Sequence, residues 1–215
     1  CNAFLGGISK NTGSNLFLHP ASRVILAEAD EFDRSFLTLF PEIAVVSSMD
    51  ADHLDIYHSR ENLVKGFESY IAQIRDKGKL ILKYGLAPEV PDQVERYTYS
   101  VDQPEADYRA EKVTRQGYGN RFTVVTPNLI IPDVTLNIPG LLNVENALAA
   151  TAVAHQLGIA PALITRALST YRGVERRFDL QVVSGKRVYI DDYAHHPGEI
   201  TAFLEAVRYH FPGRR

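Results

Sequence analysis

Residues 43–83 read IAVVSSMDADHLDIYHSRENLVKGFESYIAQIRDKGKLILK. Ile43–Ser48 is a short apolar run rich in Val and Ile, the composition of a strand buried on both faces of a sheet. Within residues 60–77, Leu63, Phe67, Tyr70, Ile71 and Ile74 recur at helical spacing, which predicts an amphipathic helix. Gly78 ends it, and Lys79–Lys83 is the next strand. Strand, helix, strand in that order predicts a right-handed crossover and a parallel sheet.

Upstream, Arg23–Ala29 reads as another apolar strand, expected beside Ile43–Ser48, with a helical turn at SFLTLF between them. Residues 1–20, rich in Gly, Asn and Ser, read as loop. Downstream, Pro88, Pro91 and Pro104 surround a short strand near Tyr97–Val101, and residues 107–138 predict an antiparallel meander with turns at 117–120, 127–128 and 132–133. Helices are predicted at Val144–Leu157 and Pro161–Tyr171, with Pro161 suited to a first helical position. Two strands (Asp179–Val183 and Arg187–Ile190) and a helix opened by Pro197 close the chain. The fold class read from this order is α/β: a mainly parallel sheet flanked by helices, with an added antiparallel meander.

The chain has 215 residues, 45% of them hydrophobic, enough for one ordinary domain or a domain and part of another. A net charge of −3 without a long basic run argues against a dedicated nucleic-acid or membrane-surface binder. The single cysteine, Cys1, excludes an internal disulfide framework and fits a reducing, cytoplasmic setting. No apolar run approaches the ~20 residues of a membrane span. The opening CNAFLGG and closing HFPGRR read as cuts within a longer protein.

Two of the strands end in acid. VILA runs into Glu28, Asp30, Glu31 and Asp33, and IAVVSS runs into Asp50, Asp52, His53 and Asp55. The C-terminal edge of an open parallel sheet is where ligands sit, and an acid after an apolar strand is one way to hold magnesium beside a nucleotide. Crowded carboxylates repel each other, by about 1 kcal/mol at ~4 Å in water, and a cation removes that cost. Acids after strands also serve as solvated loop residues or caps, as Asp30 or Asp33 would for the SFLTLF turn. A histidine such as His53 suits manganese or zinc better than magnesium.

Four segments in this order resemble the ATP-dependent Mur ligases of peptidoglycan synthesis. They are AEADEFDRSFLTLFPEIAVVSSMDADHLDIY (27–57), PGLLNVENALAATAVA (139–154), GVERRFD (173–179) and DDYAHHPGEI (191–200). The resemblance implies that residues 1–173 are most of a central ATP-binding domain. Residues 174–215 would then be the first strand–strand–helix of a Rossmann-like C-terminal domain. The family's phosphate loop ends in Gly-Lys-Thr. The Gly-Lys pairs here, Gly78-Lys79 and Gly185-Lys186, are followed by Leu80 and Arg187, so that loop is expected upstream of Cys1.

Residue by residue, the resemblance implies metal ligation by Glu28 and His53, with Mg2+ (Mn2+ possible), and ATP binding by Asn143, Asn146, Arg177, Asp192 and Tyr193. Asn143 and Asn146 would lie near adenine, Arg177 at the γ-phosphate and Asp192 near the ribose. Arg177, His195 and His196 would stand where the third domain closes on the reacting groups. Leu142 stands where the family often has histidine, which puts one adenine contact in question and leaves Asn146 to pair with the ring edge. Each residue also has an ordinary structural use. Asn143 suits a helix N-cap, Asn146 and Arg177 a solvated surface, Asp192 a strand end, and His196 a helix start.

The implied substrates are UDP-N-acetylmuramate and L-alanine, joined through an acyl phosphate. A murein-tripeptide recycling ligase and a non-catalytic nucleotide- or metal-binding module are the alternatives. By itself the chain is expected to have no ligase activity.

Overall fold

The computed structural model describes residues 1–50 and 54–213. Its central stretch folds as the periodicities predict. β4 (Ile43–Val46) and β5 (Lys79–Lys83) pair in parallel, with α1 (Leu54–Tyr57) and α2 (Arg60–Ala72) between them in the chain. α2 starts where Ser59, in extended conformation, accepts the Asn62 N–H at 3.2 Å, and Glu61 places negative charge in the first turn.

Side chains alternate along β5. Leu80 and Leu82 pack with Val46, Tyr70, Ile71 and Ile74 on the α2 side, while Ile81 packs with Tyr99, Phe122, Val144 and Leu148 on the other. β5 is therefore buried on both faces. β4, expected to be so, is an edge strand with Val45 40% exposed.

The sheet continues through β6 (Glu95–Ser100), β7 (Tyr108–Gln116), β8 (Gly119–Val125) and β9 (Ile130–Leu136) in the order β4-β5-β6-β7-β8-β9. Pairs are parallel up to β6–β7 and antiparallel beyond, so the meander extends the same sheet. Gly119 starts β8 where the β9 backbone passes closest; a Cβ there would overlap the Leu136 carbonyl oxygen. Because strand backbone cannot yield as a flexible side chain can, Gly119→Ala is expected to cost about 2–3 kcal/mol. A lowered urea midpoint at unchanged m-value would register it, and an unchanged midpoint would refute the close approach.

α3 (Leu141–Gln156) lays Val144, Ala147, Leu148, Ala149 and Ala152 on the sheet, and α4 (Pro161–Thr170) packs against β9. α3 begins earlier than expected, with Gly140 at the N-cap. Asn143 is thus inside the first turn and does not cap the helix; its side-chain amide donates to the Pro139 carbonyl at 2.6 Å. Lys83, the last residue of β5, pairs with Glu145 at 2.9 Å. That contact ties the start of α3 to the C-terminal edge of the parallel strands.

The first twenty residues depart from the loop expectation. β1 (Asn2–Ser9) and β2 (Ser14–Phe17) form an antiparallel pair, and β3 (Ile25–Ala27) joins β1 in parallel, giving a separate sheet of order β2-β1-β3. β3 and β4 are therefore not neighbours. β1 has taken the position beside β3, and the two acid-tipped strands end in different sheets.

β10 (Asp179–Val183) and β11 (Val188–Asp191) form an antiparallel hairpin, and α5 (Pro197–His210) follows. The far end of α5 is anchored. Buried His210 accepts the Gly140 N–H through Nε2 at 3.0 Å, and Arg115 donates to the Tyr209 carbonyl at 3.1 Å. Burial, then the Arg115 charge, hold the His210 pKa below the usual histidine value, consistent with a neutral ring that accepts this bond. Among the described residues, no helix is long and apolar enough to cross a membrane.

Candidate functional site

The acidic stretch after β3 divides by use. Asp30 Oδ1 accepts the Phe32 N–H at 2.9 Å, and Asp33 Oδ1 accepts the Ser35 N–H at 2.8 Å. Hydrogen bonds from Ser35 hold the Asp33 carboxyl below its usual range. Both are turn residues feeding the 3-10 turn Ser35–Thr38. Glu28 is different. Its Oε2 accepts the Gly6 N–H at 2.5 Å, while its own N–H donates to the Phe4 carbonyl at 3.2 Å. Position 6 has to be glycine for this, because a Cβ would occupy the place of the Glu28 carboxylate.

His53, the other metal ligand implied by resemblance, lies outside the described residues, as does Asp52. Among the described residues no group of three or more His, Cys, Asp and Glu side chains is placed to hold a metal ion.

β1 touches Glu28 at Gly6 and the GVERRFD segment at Ile8 and Ser9. The Ile8 carbonyl accepts the Glu175 N–H at 2.9 Å, Ser9 bridges Val174, and the Lys10 ammonium donates to the Asp179 carboxylate. Gly7 lies against Val174, whose methyl fills the space of the missing Cβ. From the Glu28-binding N–H at residue 6 to the Glu175-binding carbonyl at residue 8 is about 7 Å of strand, at ~3.3 Å per residue.

Arg177 sits in a constrained turn. Its neighbours Arg176 and Phe178 both have left-handed backbone, with φ of 59° and 45°. Such conformations at non-glycine residues cost about 1 kcal/mol or more each and persist only where surrounding bonds enforce them. Here the Arg177 N–H donates to the Val174 carbonyl (3.3 Å), Phe178 N–H to Asp192 Oδ2 (2.7 Å), and Tyr193 N–H to the Arg176 carbonyl (2.8 Å). Asp179 adds an acceptor for the Arg176 N–H at 3.4 Å. Asp179 is buried, which pushes its carboxyl up, but Lys10 and the Arg176 N–H outweigh that and leave it below the usual range.

The DDYAHHP segment packs onto this turn. Asp192 spends both oxygens on backbone, accepting Phe178 N–H and Ala194 N–H at 2.7 Å each. Tyr193 lies under two guanidinium groups, Arg176 at 4.7 Å and Arg177 at 5.9 Å from its ring centre. His196 caps α5, accepting the Gly198 N–H at 3.3 Å through Nδ1. His195 is exposed, with Nδ1 3.0 Å from the Tyr193 carbonyl.

A cleft of about 300 Å³ lies between this turn and the segment leading into α3, bounded by Lys10, Pro139, Tyr171, Arg172 and Phe178. Asn143 stands just beyond Pro139; Asn146 is exposed on the next turn of α3. Arg177, Asp192, Tyr193, His195 and His196 thus come together, Glu28 is bonded to β1 at Gly6, two residues before the Ile8 carbonyl that accepts the Glu175 N–H, and the asparagines sit at the start of α3.

Sequence reasoning assigned no role to Glu199, Asp179, Lys10 or Gly6, which hold these residues in place. A search for the Ser/Thr-x-x-Glu capping pattern misses Glu199, because its N-cap is a histidine.

A sheet that is parallel from β4 to β7 and antiparallel from β7 to β9, with α2 and α3 packed against it, defines the class as a mixed α/β fold. Residues 25–154 match the family model of the Mur ligase middle domain, and the chain belongs to the Mur ligase family. It is 44% identical to a UDP-N-acetylmuramate–L-alanine ligase of Phocaeicola vulgatus, over 97% of this chain and 45% of that protein. A ligase of the same name from Parabacteroides distasonis is 43% identical, over 100% of this chain and 47% of that protein. The crystal structure of UDP-N-acetylmuramate-alanine ligase from Thermotoga maritima superposes with a TM-score of 0.81 at 26% identity, over 98% of this chain and 48% of that one. The chain therefore spans about half the length of the relatives it matches.

Proposed function

We propose that the complete protein is an ATP-dependent carboxylate–amine ligase of the cytoplasm that adds L-alanine to UDP-N-acetylmuramate. The observation that supports it most is 43–44% identity, over 97–100% of this chain and 45–47% of their length, to relatives named for that reaction. Residues 1–173 would form most of the ATP-binding domain and 174–215 the start of the amino-acid ligase domain.

The substrate carboxylate attacks the γ-phosphorus of ATP, releasing ADP and forming an acyl phosphate. The amine of L-alanine then attacks the acyl carbon, phosphate leaves, and the amine proton is lost to solvent. The physical obstacle is charge, because an anion approaches a polyanion and the transferred group spreads negative charge in flight. Arg177, presented by its constrained turn, would face that charge. Asn143 and Asn146 would contact adenine and Asp192 and Tyr193 the ribose side. His195 and His196 would close over the reacting groups and exclude water from the acyl phosphate.

Glu28 offers a hard oxygen donor fixed from one side by the Gly6 N–H, a chemistry that fits magnesium. With His53 it would hold the ion, which when bound supplies neutralising charge at the phosphates.

In the complete protein, ADP release should require both UDP-N-acetylmuramate and L-alanine; preference for a murein tripeptide would replace this reading with the recycling ligase. Glu28→Ala and His53→Ala should each lower turnover at least ~tenfold with circular dichroism unchanged. Wild-type turnover in both would refute the metal assignment.

A further inference from the structure

Glu199 lies at the third position of α5, and its two carboxylate oxygens do different things. Oε2 accepts the N–H groups of His195 at 3.2 Å and His196 at 3.4 Å, closing a capping box with His196. Oε1 accepts from Nη1 of Arg177 at 3.1 Å, a residue 22 positions earlier in the chain. A capping box alone requires only the first set of bonds.

We propose that Glu199 is a positioning residue for Arg177, using the start of α5 as a rigid base from which one oxygen sets where the guanidinium stands. The proposal rests on Arg177 being the phosphate-facing arginine of the preceding section. Arginine has several rotatable bonds, and its free side chain carries about 2 kcal/mol of rotamer entropy. Here the backbone N–H groups of two residues fix Glu199, and Glu199 and the Tyr193 ring bracket the guanidinium. Only Nη1 is used by Glu199, and a guanidinium has further N–H donors for an anion.

The carboxylate is held ionised. Partial burial pushes its pKa up, but the His195 N–H, Arg177 and the His196 N–H together bring it below the usual glutamate value. As an exposed ion pair this contact would contribute little to stability. Its consequence is orientation: the arginine meets the nucleotide with fewer conformations to lose.

The test uses the complete ligase, with initial rates of ADP release at varied ATP. The variants are Arg177→Ala, Glu199→Gln, and both together. Gln still accepts the two backbone N–H groups, so Glu199→Gln should keep its Tm within about 2 °C of wild type. It should nonetheless lose about tenfold in kcat/KM for ATP, with the KM for UDP-N-acetylmuramate unchanged. The double variant should be no worse than Arg177→Ala alone, because the two act as one unit.

Wild-type efficiency in Glu199→Gln, or a double variant whose losses multiply, would overturn the proposal. If Glu199→Gln loses more Tm than expected, the double variant still decides. A cap defect multiplies the Arg177→Ala loss, whereas a positioning defect does not. Wild-type efficiency in Arg177→Ala would instead remove the phosphate-facing role itself, and the positioning role with it.

Discussion

Arg177→Ala in the complete ligase is expected to lower ATP-dependent turnover about 10²–10³-fold, the range seen when one preorganised donor is removed from developing charge. The argument starts from the backbone. Arg176 and Phe178 are both in left-handed conformations, and the turn is held by its N–H groups donating to Val174, Asp179 and Asp192 and by the Arg176 carbonyl accepting the Tyr193 N–H. A chain does not otherwise keep two non-glycine residues in that region side by side with an arginine between them. The outcome is a side chain 53% exposed yet fixed at its base. Its removal should leave stability almost unchanged, since its ion pair with Glu199 is at the surface. Arg177→Lys keeps the charge but loses the planar fork, so it should fall between wild type and Ala. Steady-state ADP release with a thermal melt checks both points. A melt lowered in step with activity would mean that the arginine holds the fold instead.

Lys10→Met is expected to cost about 3 kcal/mol of stability at pH 7, because it strands a buried carboxylate. Asp179 has 4% of its side chain exposed, whereas Lys10 has 29%, so the acid depends on its partner more than the lysine does. The sign of the pH dependence follows. The folded-state pKa of Asp179 is depressed, chiefly by Lys10 and the Arg176 N–H working against burial. Its stabilisation is therefore complete above the unfolded value of about 3.9 and fades as pH falls through the folded value. The gap between wild type and Lys10→Met should be full at neutral pH and close as pH falls through the depressed folded value, where Asp179 takes up a proton. Urea unfolding at pH 7 and pH 3 measures it. A gap that stays constant across that range would show that lost packing of the lysine stem, not the ion pair, is responsible. Because Asp179 also accepts the Arg176 N–H, the variant should loosen the turn and lose activity as well.

Residues 43–83 were legible because every signal in them is local. Helical spacing from Leu63 to Ile74, the Gly78 that follows and the apolar KLILK all act within one or two turns of chain. The β1–β2 pair was not legible. NAFLGGIS has the composition of a loop, and what makes it a strand is distant: β3 on one side and Val174 near its end. A Cβ at its two glycines would overlap the Glu28 carboxylate and a Val174 methyl where they now stand. The acidic run VILAEADEFD was half legible. Its density pointed to a site, but only the turn geometry separates Asp30 and Asp33, which bond to their own loop, from Glu28, which bonds to another strand.

From the residues alone came the parallel strand–helix–strand unit, the meander, the closing hairpin and helix, and the family resemblance that nominated Glu28, Arg177 and the DDYAHHP segment. Tertiary structure decided what sequence separation hides: that β3 pairs with β1 and not with β4, that Lys10 reaches Asp179 across 169 residues, and that Glu199 grips Arg177. The physical reason is that periodicity records which face of an element is buried, whereas a hydrogen bond between distant residues leaves no repeating mark in the chain.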